Sequence, residues 1–172
     1  SDLLAQAEHD ADASAVLVTS SKSLAEAVSN EVEEQLKTLP SAPIAQQALE
    51  ANGAIVLVGS MAEAMKVANR YAPEHLCVPD ASFLSAVKHA GSVFVGPYSP
   101  EAAGDYATGT NHVLPTGGVA RLRGGLSAAD FVKVISVQEL TRDALTGLAG
   151  TVTTLARVEG LEGHARSVEV RL

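Results

Sequence analysis

Two pairs of polar residues stand at spacings that could support metal binding or proton transfer. Gln6 and His9 lie three residues apart in a stretch that predicts a helix, so both side chains project from one face. That spacing can deliver two ligands to one metal ion, although many such pairs are only solvated. Glu74 and His75 directly follow Pro73, which ends a helix and favours an extended backbone. A carboxylate beside an imidazole can supply two proton-transfer groups, or can be an ordinary surface pair.

A second group of polar residues lies in the stretch GDYATGTNHVLPTGG, residues 104–118. It has neither a helical nor a strand period, so it predicts an irregular segment in which glycines allow close backbone approach. Asp105, Asn111 and His112 can then point inward. Together with Gln6 and His9 they form a set of nitrogen and oxygen ligands without thiolate, which suits zinc or manganese. The spacing matches no compact metal motif, and metal binding and plain surface polarity both stay open.

The remaining histidines and the single cysteine have less specific surroundings. His164 follows Glu159 and Glu162 at a predicted bend between two helices, where it is a ligand or an acid-flanked loop histidine. His89 is in the last turn of a predicted short helix, where a cation suits the helix dipole, and we assign it no chemistry. Cys77, within HLCV, is predicted to be a small core residue.

Short aliphatic runs alternate with amphipathic stretches along most of the chain. Strands are predicted at 15–19, 54–58, 75–78 and 92–96, and a mixed strand at 131–140. Helices are predicted at 1–10, 21–39, 44–51, 61–71 and 83–89, with two more after residue 141 that split near 160–163. This alternation predicts an α/β fold with a parallel, Rossmann-like but incomplete sheet. Residues 1–138 would form the α/β domain and residues 139–172 a helical tail.

The composition of the chain argues against two classes of protein, those that bind nucleic acid and those that span a membrane. The chain has 172 residues, 47% of them apolar, only six aromatics and a net charge of −8. An acidic chain without a basic run is a poor candidate for binding nucleic acid. No apolar run is long enough for a membrane span, and a single cysteine excludes an intrachain disulfide, so we expect a cytoplasmic protein. The chain has no initiator methionine, so we expect a preceding segment to be missing.

Four segments of the sequence resemble the histidinol dehydrogenase family. They are QAEHD, NRYAPEHL, AGSVFVGPYSPEAAGDYATGTNHVLPT and LEGHARSVEVRL. The resemblance covers nearly the whole chain, and its long central block is highly specific. The matching part of the family's enzyme is roughly its C-terminal two-fifths.

The resemblance implies a function and a set of site residues. The family oxidises L-histidinol to L-histidine through the aldehyde, the last steps of histidine biosynthesis, with two NAD+ in succession and a zinc ion. By position it implies a catalytic acid/base pair, Glu74 and His75, and four zinc ligands. Those ligands are Gln6, His9, Asp105 and His164. The substrate would contact these ligands together with His75, Glu159 and His112.

The resemblance also implies what this chain lacks and what it pairs with. The family is a homodimer in which the C-terminal tail reaches into the partner's active site, so Glu159 and His164 would complete the other subunit's pocket. The nucleotide contacts would lie before Ser1, and no GxGxxG motif occurs in the chain. An alternative is therefore a catalytically silent metal-binding or dimerisation module without its nucleotide-binding half. A zinc hydrolase is disfavoured, because four protein ligands and a chelating substrate leave no open position.

Overall fold

The chain divides into two compact units, which we describe separately. The computed structural model describes all residues, Ser1–Leu172, with a first unit at Ser1–Phe131 and a second at Val132–Leu172. None of the helices has the length and apolarity needed to cross a lipid bilayer.

The first unit contains four short strands, each at a position that the aliphatic runs predicted. They are β1 (Val16–Thr19), β2 (Ala54–Leu57), β3 (His75–Val78) and β4 (Ser92–Val95). Both β1–β2 and β3–β4 pair in parallel, with Val16 opposite Ala54 and His75 opposite Ser92. The mixed α/β class with parallel strands is confirmed, and the strands form two separate two-stranded sheets.

Helices connect and flank these strands. They are α1 (Asp2–Ala7), α2 (Lys22–Leu36), α3 (Ala42–Asn52), α4 (Met61–Tyr71) and α5 (Glu101–Tyr106). The Ser21 and Ser60 hydroxyls cap α2 and α4 by accepting hydrogen bonds from the backbone N–H groups of Leu24 and Glu63, respectively. Leu4 and Ala7 of α1 pack with Ala45 and Ala48 of α3 into a buried core. Alanines at this contact let the helix backbones approach closely, and the contact fixes the position of α1.

The junction between α4 and β3 sets the direction of the Glu74–His75 pair. Ala72 is the one residue other than glycine with a positive φ, 57°, and its N–H donates to the Ala68 carbonyl at 2.8 Å. Pro73 cannot continue the helix, so the chain turns sharply here. The Arg121 guanidinium donates to the backbone carbonyl of Arg70. These contacts hold the α4 side of the turn, and the Gly91 N–H donates to the Pro73 carbonyl at 3.0 Å on the side that leads to Glu74 and His75.

Several expectations about local structure are wrong. The strand predicted over 131–140 does not form: Phe131 ends a 3-10 helix, residues 132–140 have no regular structure, and all ten are exposed. A β-branched run becomes a strand only beside a hydrogen-bonding partner. Cys77 is exposed, since alternation along β3 directs Val78 inward instead. In the stretch 104–118, residues 104–106 belong to α5, and only the remainder is irregular. The helix predicted over 83–89 is a 3-10 helix at Ala81–Ala86.

The second unit is a pair of helices, as predicted for the end of the chain. They are α6 (Arg142–Val158) and α7 (Glu162–Glu169), joined by a turn in which Gly160 has φ 75°. Ala156 and Ala165 are buried between them, while Arg157 pairs with Glu162 at 3.1 Å and with Glu169 at 2.7 Å. Four large apolar side chains of α6 are exposed: Leu148, Val152, Leu155 and Val158.

Candidate active site

Four polar side chains from separate elements converge in the first unit. His75 Nδ1 lies 3.2 Å from Gln6 Oε1, and His75 Nε2 lies 3.8 Å from Asp105 Oδ1. On the other side of Asp105, its Oδ2 is 4.0 Å from His9 Nε2. The helix predicted over 1–10 ends at Ala7, so His9 lies in the turn that follows it. The chain thus brings together one amide, one carboxylate and two imidazoles.

The hydrogen bond to Gln6 determines the tautomer of His75. The Gln6 side-chain oxygen can only accept, so His75 Nδ1 carries the hydrogen and donates it. Nε2 then has a free lone pair, and it is buried without a hydrogen-bond partner. The His75 side chain is only 9% exposed, whereas that of His9 is 61% exposed. The lone pair of His75 Nε2 is therefore free to accept a proton, and His9 faces solvent.

The imidazole of His75 and helix α5 both rest on the ring of Phe94. The His75 and Phe94 ring centroids are 5.7 Å apart at an interplanar angle of 53°. Gly104 of α5 approaches the same ring so closely that a Cβ there would lie 2.7 Å from Phe94 Cζ. The absence of a side chain at Gly104 thus allows α5 to place Asp105 beside His75.

Replacing Gly104 with alanine should lower the stability of the first unit by about 1–3 kcal/mol, because the added methyl group overpacks the Phe94 ring. Gly124→Ala is the matched control: a Cβ at Gly124 meets nothing within 4 Å, so stability should stay nearly unchanged. Thermal unfolding of both variants measures the difference. Equal melting temperatures for Gly104→Ala and the unsubstituted chain would contradict this packing.

Glu101 is a further carboxylate at this site, and no sequence motif distinguishes it. It begins α5 one turn before Asp105, so both side chains lie on one helix face. Its Oε1 is buried and has no hydrogen-bond partner. Burial, and then the negative charges of Asp2, Asp105 and Glu74, raise the pKa of Glu101 to about 7. The sequence signal that could have identified Glu101 is its position four residues before Asp105, but pairs of acidic residues at this spacing are common in helices.

Gln6, His9, Asp105 and Glu101 border a small cavity of about 300 Å³ between α1 and α5, and His75 lies behind Gln6 and Asp105 without lining it. Its polar lining consists of Gln6, Glu8, His9, Glu101, Asp105 and Tyr106, with Ala5 and Ala102 completing the wall. No lysine or arginine contributes to it. The lining is therefore acidic, and it favours a cationic occupant.

The other residues selected from the sequence do not line this cavity. Glu74 is half-buried, and its backbone carbonyl accepts the Ser92 N–H at 2.8 Å, next to His75. His112 is exposed on the irregular segment and does not line the cavity. Glu159 and His164 belong to the second unit, where both are exposed. The structure contains no group of three or more His, Cys, Asp or Glu side chains arranged to hold a metal ion.

Comparison with known proteins gives one consistent family. The family model for histidinol dehydrogenase matches residues 1–172. Relatives named histidinol dehydrogenase from Bacillus cereus and Haloarcula marismortui are 49% and 52% identical over 99% of this chain. A crystal structure of histidinol dehydrogenase from Elizabethkingia anophelis superposes with a TM-score of 0.92 at 40% identity over 99% of this chain.

The alignments cover nearly all of this chain but less than half of each relative. The chain spans 40% of the Bacillus cereus protein, 41% of the Haloarcula marismortui protein and 40% of the Elizabethkingia anophelis chain. Because the family model extends over every residue and the relatives are so similar in sequence, the chain belongs to the histidinol dehydrogenase family.

Proposed function

We propose that this chain is the substrate-binding and acid/base part of a zinc- and NAD-dependent histidinol dehydrogenase. The reaction is the oxidation of L-histidinol to L-histidine through the aldehyde. The observation that carries the proposal is the buried, unpaired Nε2 of His75, which faces Asp105 in a chain that matches the family from end to end. A free ring nitrogen in an acidic site suits a proton acceptor for an alcohol.

In the first oxidation, His75 Nε2 takes the proton of the substrate hydroxyl as the carbon loses hydride, which gives the aldehyde and an imidazolium. Gln6 keeps the ring in the required tautomer by accepting the Nδ1 hydrogen. Asp105, 3.8 Å from Nε2, stabilises the positive charge that develops on the ring. Phe94 limits rotation of the imidazole by packing against it.

In the second oxidation, we assign the proton of the attacking water to Glu74. Water adds its oxygen to the aldehyde carbon, Glu74 accepts the released proton, and loss of a second hydride gives the carboxylic acid. Glu74 is suited to this role because it is half-buried beside His75 at the rigid turn that ends α4. NAD+, when bound, accepts the hydride in each oxidation, and its binding residues are assigned to a part of the enzyme outside this chain.

Zinc is assigned to four residues: Gln6, His9, Asp105 and His164. The donor set fits, because imidazole, carboxylate and amide oxygen are accepted zinc ligands, and His9 and Asp105 face each other at 4.0 Å, too far to hydrogen-bond. The Gln6 oxygen has a second lone pair beyond the one facing His75. A bound zinc ion supplies positive charge that orients the nitrogen and oxygen groups of the substrate.

The tail is assigned to the partner subunit of a homodimer, where Glu159 would contact substrate and His164 would complete the zinc site. The exposed apolar side chains of α6, with those of residues 132–140, support an intersubunit role. A helix pair with a narrow internal contact gains stability by docking on another surface.

Activity is tested by replacing the matching C-terminal part of the Bacillus cereus relative with this chain. With L-histidinol and NAD+, the chimera should form NADH, followed by its absorbance, and His75→Ala should abolish the signal. Histidine formation by chromatography shows whether both oxidations occur. A folded, zinc-loaded chimera that forms no NADH would favour the alternative of a catalytically silent metal-binding or dimerisation module.

A further inference from the structure

We propose that Glu101 holds the amino group of the substrate, an assignment that rests on the proposed function and deepens it. Glu101 lines the cavity together with Gln6, His9 and Asp105. It is therefore placed to touch whatever those residues bind. We assign it as a substrate-binding residue and not as a metal ligand.

The hydrogen-bonding state of Glu101 is the first reason. Its Oε1 is removed from water and accepts no hydrogen bond within the chain. A buried acceptor without a donor costs about 1–3 kcal/mol, so such groups in native proteins usually have a partner. Glu8, on the same cavity, already accepts a hydrogen bond from the Ser41 hydroxyl. Of the two glutamates that line the cavity, Glu101 is thus the one with a buried oxygen that has no hydrogen-bond donor.

The charges around Glu101 indicate which kind of hydrogen-bond donor a ligand would have to offer it. The charged groups that raise its pKa are all carboxylates, Asp2, Asp105 and Glu74, and no lysine or arginine lines the cavity. A cationic or strongly polarised N–H group therefore complements it best. Histidinol offers its primary amine, which is cationic in water near neutral pH and keeps N–H hydrogens even where its lone pair is engaged. The hydroxyl of the substrate is already assigned to His75.

The geometry of α5 is the second reason. Glu101 and Asp105 are separated by one helical turn on one face. The close contact of Gly104 with Phe94 fixes that face against the ring that supports His75. Glu101 is therefore held by the same packing that positions the proton acceptor. An amine bound at Glu101 would fix the substrate relative to His75.

The test is calorimetric titration of the full, zinc-loaded chain with L-histidinol and with 4-(3-hydroxypropyl)imidazole, which is histidinol without its amine. Glu101→Ala should weaken L-histidinol binding by about ten- to a hundredfold, as expected for a lost charged hydrogen bond. Binding of the analogue without an amine should be the same in both proteins. Glu33→Ala, on the exposed face of α2, should change neither affinity.

Glu101→Gln covers the case in which the alanine variant does not fold. It keeps the size of the side chain and one acceptor oxygen but loses the charge, so we expect a smaller, several-fold loss for L-histidinol alone. Zinc content by elemental analysis should equal that of the unsubstituted chain. Unchanged L-histidinol affinity, an equal loss for the analogue without an amine, or zinc loss would overturn the assignment. An unsubstituted chain that does not bind L-histidinol would overturn the proposed function and this assignment with it.

Discussion

Replacing His9 or Asp105 with alanine should lower the zinc affinity of the chain by more than about a hundredfold. Loss of even an outer-shell partner of a metal ligand costs about ten- to a hundredfold, and loss of a ligand removes the coordinate bond itself. His9 Nε2 and Asp105 Oδ2 are 4.0 Å apart, too far for a hydrogen bond, so neither side chain satisfies the other.

His89→Ala is the control for the zinc measurement, because His89 is a half-buried histidine on a loop whose backbone N–H donates to Asn69 Oδ1 at 3.2 Å. The zinc affinity of the His89→Ala chain should equal that of the unsubstituted chain. Elemental analysis after dialysis, and competition with a chromophoric chelator, measure content and affinity. Equal zinc content in the His9→Ala, Asp105→Ala and His89→Ala chains would refute the ligand assignment.

Mixing two inactive variants should restore activity if the tail serves the partner subunit. In the chimera that carries the N-terminal part of a relative, His75→Ala removes the proposed proton acceptor and His164→Ala removes the proposed zinc ligand of the tail. A mixed dimer with exchanged tails has one pocket with both defects and one with neither. Random pairing of equal amounts makes half of the dimers mixed, so recovery should reach about a quarter of the unsubstituted activity.

A tail that serves its own subunit predicts a different result. Each pocket of the mixed dimer would then carry one defect, and no activity would return. Subunit exchange is verified by mass spectrometry of differently tagged chains, and each variant alone is the baseline. Mixtures that stay inactive after verified exchange would exclude the swapped arrangement, while leaving the zinc assignment of His9 and Asp105 to be judged by its own measurement.

Local sequence patterns were sufficient for most of the secondary structure. Four short apolar runs became strands because such residues suit a pleated surface and are flanked by glycine, proline or polar residues. Pro73 ended α4 because it has no N–H to donate, and Gly160 allowed the turn between α6 and α7. These outcomes depend on neighbours within a few residues, which a sequence displays directly.

Contacts between distant residues required the tertiary structure. The sequence selected Gln6, His9, His75 and Asp105 by type, but only folding placed His75 against Gln6, 69 residues away. Glu101 showed no distinctive pattern, and its importance arises from burial of Oε1 among other carboxylates. For residues 132–140 and Cys77, by contrast, the local pattern predicted a strand and a buried side chain that the tertiary structure does not contain. A strand needs a partner edge and a buried side chain needs a covering surface, and neither is written in the local sequence.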